Sequence, residues 1–178
     1  MIKNKKRGYF FVLDAVLGLL ILVLGVFLIT SSYVNVPQPT QVKLLSDDLL
    51  NFLSNRKIRD INNPYAGIGG ELWQQGVVTS GDNSLLQQIG EFYATDNLGI
   101  AEKFIQNLSK DVVPSQFEYE VLINGVLVYP KTPSAEHIKS KSNTDILLIS
   151  KKITFGILNK TTGDLWGPYK AEVFVWER

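Results

Sequence analysis

Marked as apolar and polar positions, the chain falls into three stretches of different period. The first is an apolar run from Tyr9 to Ile29, preceded by Lys3, Lys5, Lys6 and Arg7 and interrupted by one charge, Asp14. At about 1.5 Å of rise per residue, these roughly 21 residues reach about 31 Å, the hydrocarbon thickness of a bilayer. The pattern therefore predicts a membrane-length helix. Pro37 and Pro39 lack the amide donor and disfavour helix in the residue before them, so the helix should end near Val34 to Val36.

Helical spacing governs the second stretch. Val42, Leu45, Leu49, Phe52 and Leu53 share one face, with Lys43, Asp47, Asp48 and Arg56 off it, which predicts an amphipathic helix from about Thr40 to Arg56. Asn62 to Gly76 carries turn residues at Asn63-Pro64, Gly67, Gly69 and Gly70 and reads as loop. Ser84 and Gln87 form a capping-box pattern that opens a short helix to about Tyr93. A second short helix begins after Thr95-Asp96-Asn97 and stops before Pro114, with Ile100, Phe104, Ile105 and Leu108 as its packing face.

Beyond Pro114 the period becomes two. Phe117 to Pro130 alternates around Asn124-Gly125, the strongest hairpin signal in the chain. Residues 144–158 and 167–178 supply two longer strands. The expected head is thus α+β, with a few helices packed on one face of an antiparallel sheet of about four strands. Glu118 and Glu120 fall on the outer side of the first strand and read as solvated charge. Lys131 to Asp145 is polar and aperiodic, which predicts an exposed, mobile loop with His137 at its surface.

Composition narrows the chemistry. The chain has 178 residues, 45% hydrophobic, enough for one modest core plus a terminal helix. Its formal net charge of +1 conceals an asymmetry: without Met1 to Gly8 the balance is 14 basic against 17 acidic residues, a net of −3. No basic excess then favours nucleic acid. Zero cysteines exclude disulfides and thiolate metal sites, and one histidine leaves little for a transition metal, so no cofactor or metal is expected. Neither a Gly-x-Ser-x-Gly nor a His-Glu-x-x-His pattern occurs, and Gly67-x-Gly69-Gly70 follows no apolar strand, so the chain does not read as an enzyme. Sequons at Asn107 and Asn159 permit glycosylation if the head is exported.

The apolar run is longer than a secretory core of roughly 7 to 15 residues, and the preceding basic cluster places the remainder outside the cytoplasm. At about 100° per residue, Asp14 shares its face with Gly18, Ile21, Gly25, Leu28 and Ser32. Small residues on one stripe allow close backbone approach between helices. The other faces are almost wholly Leu, Val, Ile and Phe.

Lys5-Lys6-Arg7-Gly8, then Tyr9-Phe10-Phe11-Val12-Leu13-Asp14 and an apolar helix, resembles the class III signal of type IV prepilins and archaeal pilin-like proteins. The resemblance covers residues 1 to about 33. It implies that a prepilin peptidase cuts between Gly8 and Tyr9, that the helix holds the subunit in the membrane, and that pilus assembly machinery then extracts it into a filament. Its partners would be copies of itself or related pilins, and its cofactors none. Bacterial members usually place a glutamate at the fifth mature position; here Leu13 stands there and the acid follows as Asp14, a pattern closer to the looser archaeal one. The implied organisation is a leader at 1–8, a hydrophobic helix at 9–36 and an extracellular head at 37–178. Two readings stay open at this point: a structural subunit of an extracellular filament, assembled through Asp14, Gly18 and Gly25, and a monotopic cell-surface binding protein that keeps its anchor.

Overall fold

The computed structural model describes residues 5–34, 39–159 and 162–178, and along the first helix it describes side chains from Val12 to Leu28. The chain divides into two compact units, Met1–Gln38 and Pro39–Arg178.

The first unit is one helix, α1 (Lys5–Val34). It begins before Tyr9, so the Gly8–Tyr9 bond lies inside it. Among the described residues no helix is long and apolar enough to cross a membrane, which corrects the membrane-length expectation.

The second unit is the α+β head. It comprises α2 (Pro39–Asn55), a 3-10 turn (Ile58–Asp60), α3 (Glu71–Gln74), α4 (Leu85–Ala94) and α5 (Leu98–Ser109), then β1 (Phe117–Ile123), β2 (Val126–Tyr129), α6 (Ala135–Asn143), β3 (Leu147–Asn159) and β4 (Asp164–Glu177). The four strands form one antiparallel sheet in the order β2-β1-β4-β3. Pro39 occupies the start of α2, where its missing amide costs no intrahelical bond. The Ser84 hydroxyl accepts from the Gln87 amide at 3.1 Å while the Gln87 side chain accepts from the Ser84 amide at 2.9 Å, so the capping box is complete. Asn124 and Gly125 take φ of 52° and 83°, the left-handed pair that a two-residue hairpin turn needs.

Alternation decides which side of the sheet meets the helices. Tyr119, Val121 and Ile123 of β1 and Ala171, Val173 and Val175 of β4 join one core with Leu49 and Leu53 of α2, Ile89 and Phe92 of α4, and Phe104 and Ile105 of α5. Trp166 is clamped where this layer meets β3. A Cβ on Gly90 of α4 would lie 2.3 Å from its ring, and one on Gly156 of β3 would lie 2.7 Å from it. Two glycines therefore leave the space that one indole fills.

In the head, three further expectations need correction. The Asn62 to Gly76 loop contains α3, whose Leu72 is buried. β4 begins at Asp164, earlier than expected, because Leu165 and Trp166 pair with Ile157 and Gly156. Finally, the polar stretch after Pro130 is not a loop: it folds as α6, with the Ser134 hydroxyl capping the His137 amide at 3.1 Å. α6 lies on the sheet face opposite α2, α4 and α5, where its polar side chains meet those of β1 and β4.

Candidate functional site

On α1, every described side chain from Val12 to Leu24 is exposed, and the large apolar ones range from 44% at Leu13 to 69% at Ile21. Asp14 is exposed among them. A Cβ added at Gly18 or Gly25 would meet nothing within 4 Å, so among the described residues no packing requires those glycines to be small. The side chains of Gly8's neighbour Tyr9 and of Ser32 lie outside the described set.

The two sequons differ in setting. Asn107 is exposed on α5, but its amide donates to the Lys103 carbonyl at 2.8 Å, and Ser109 is buried, donating to the Ile105 carbonyl at 2.7 Å and bonded to the Tyr119 hydroxyl. Burial pushes the Tyr119 phenol well above its usual pKa. Asn159 ends β3, and Lys160 and Thr161 of its sequon lie outside the described residues.

In comparisons with protein families, curated proteins and solved structures, nothing matches this chain.

The head brings together a polar group whose members the sequence pattern alone puts in solvent. Glu118 and Glu120 are not solvated: they are 9% and 6% exposed, roofed by α6. His137 is not a surface residue either. Its Nδ1 meets Glu118, its Nε2 lies 3.3 Å from Glu120 Oε1, and its ring stands edge-on to Trp176 at 4.9 Å. Arg178 Nε donates to Glu118 at 2.8 Å, and Lys141 pairs with Glu120 while lying 5.0 Å from the centre of the Phe174 ring. The indole of Trp176 donates to Ser140 at 3.0 Å. Further along the same face, Glu172 sits between Lys151 and Lys170, each at 3.0 Å, and the Lys151 hydrogen bond, against the opposing effect of burial, holds its carboxyl below the usual glutamate range.

Alternation correctly put Glu118 and Glu120 on the outer face; what it lacked was the cover. The signal for that cover was Ser134 after Pro133, a helix cap followed by Glu136 in the first turn. Among the described residues no group of three or more His, Cys, Asp or Glu side chains is placed to hold a metal.

Elsewhere on the head, Phe155, Ile157, Leu158 and Leu165 are exposed at the β3–β4 end and border a cleft of about 990 Å³ that also takes in Asp82, Asn83 and Gln87.

Proposed function

We propose that this chain is a pilin-like structural subunit of an extracellular type IV filament, assembling through α1 and presenting the head for adhesion or surface contact. The observation that carries the reading is the exposure of apolar side chains around the whole circumference of α1 from Val12 to Leu24. Fully burying a side chain such as leucine or valine is worth about 1.5–3 kcal/mol, so a helix apolar on all faces gains most by packing among other apolar helices. Gly18 and Gly25, with open space above both, supply the stripe along which another backbone approaches.

In this reading the prepilin peptidase cuts between Gly8 and Tyr9 and creates a new amine at Tyr9. Five residues along a helix rotate about 140°, so that amine and Asp14 of one subunit point to different sides. A neighbour shifted along the bundle brings its amine to Asp14, which offsets two buried charges and sets the axial register.

The chain has no cysteine, so single thiols report the contact cleanly. Gly25→Cys on the stripe should give disulfide-linked dimers on oxidation of assembled material, whereas Val23→Cys, half a turn from Asp14, should give fewer. Equal cross-linking at the two positions would sink the stripe as the close-contact face. Asp14→Ala should lower filament yield without altering the head.

A further inference from the structure

We propose that His137, gripped between Glu118 and Glu120, is a pH-sensitive latch that holds α6 against the outer face of the sheet. α6 contributes no buried residue of its own, so the apolar burial at this contact is limited to the Trp176 ring that it covers. Its attachment is polar: His137 to Glu118 and Glu120, Lys141 to Glu120, and Ser140 to the Trp176 indole.

The central contact depends on protonation. A carboxylate only accepts, and a neutral imidazole has one donor, so a ring with a carboxylate oxygen at both nitrogens is satisfied only when both nitrogens carry hydrogen. Removing one proton sets a nitrogen lone pair against a buried carboxylate, and it removes the cation that pairs with two acids. Protonation of the ring therefore closes the latch, and loss of that proton as pH rises loosens it.

The other groups around the ring do not reverse this sign. From β1 the ring meets Glu118 and Glu120, and from α6 Lys141 shares Glu120. Arg178, following β4, shares Glu118, while β4 itself presents the Trp176 ring. Glu136, Tyr119 and Tyr129 line the adjoining cleft of about 350 Å³. Opening α6 would uncover Trp176, Phe174 and the two acids on the outer face of the head. The latch belongs to the head alone and does not depend on filament assembly.

The test is amide hydrogen exchange on the full chain in detergent micelles, corrected for intrinsic rate, at about pH 5.5 and 8.5, with the ring ¹⁵N signals of the single histidine recorded alongside. Protection of the α6 amides should fall by roughly tenfold at the higher pH, the scale of one lost charge-assisted hydrogen bond. His137→Gln, which cannot titrate, should show the same protection at both values. The idea is overturned if α6 of the parent chain keeps its protection at high pH, if His137→Gln loses it equally, or if α6 is protected at low pH while one ring nitrogen is unprotonated. The ring signals of the parent chain decide the matter even where the variant fails to fold.

Discussion

Gly90→Ala separates a clamped tryptophan from a merely adjacent one. In an ordinary helix the change stabilises, since alanine exceeds glycine by about 1 kcal/mol of helix propensity. At Gly90 the new Cβ would lie 2.3 and 2.5 Å from Trp166 Cη2 and Cζ3, far inside the roughly 3.5 Å at which carbon atoms attract. The indole has no retreat. A Cβ at Gly156 would already be 2.7 Å from its Cζ2, and Trp166 is only 5% exposed. Overpacking costs typically 1–3 kcal/mol, and a ring held on both sides belongs in the upper part of that range. After the propensity gain, the net loss is about 1–2 kcal/mol, or roughly 3–8 °C of melting temperature for a head of this size. Trp73, Trp166 and Trp176 all lie in the head, so intrinsic fluorescence of the full chain in micelles follows its unfolding. Gly99→Ala on α5, where a Cβ meets nothing within 4 Å, is the matched control and should melt at or above the parent. If Gly90→Ala also melts at or above the parent, the clamp is wrong.

Two further outcomes follow from named contacts. Ser84→Ala removes the side chain that accepts from the Gln87 amide and should cost about 1 kcal/mol in urea titration, while Ser84→Gly should cost only a few tenths. Glu172 has its pKa lowered on folding, so its contribution is present above the ordinary glutamate range of about 4.3 and is lost as pH falls through its folded value. Denaturation midpoints of the parent and Glu172→Gln should therefore differ near pH 6 and converge toward pH 3; a constant gap would contradict that linkage.

What local pattern could reveal was the part of the fold that local rules control. Ser84 with Gln87 marks a helix start because both bonds lie within four residues, and Asn124-Gly125 marks a hairpin because its backbone needs left-handed residues. The faces of α2, α4 and α5 were readable for the same reason, since Leu49, Ile89 and Phe104 recur at helical spacing and are buried. Beyond the Ser134 cap, α6 left no such trace. None of its residues is buried, so it has no apolar stripe to count. Its anchors, Glu118, Glu120 and Trp176, are distant in sequence and meet it only when the sheet forms. Trp166 was obscure in the same way: Gly90 reads as a weak helix residue until the indole from β4 is placed against it. On α1, composition showed the apolar run and the Asp14 stripe directly, because neither depends on a distant contact.

The most direct test of filament assembly is intact-mass analysis of the native chain recovered from sheared extracellular filaments and, separately, from the cell envelope. Assembly through α1 predicts a filament-borne chain that begins at Tyr9. A chain found only in the envelope and still carrying Met1 to Gly8 would contradict it.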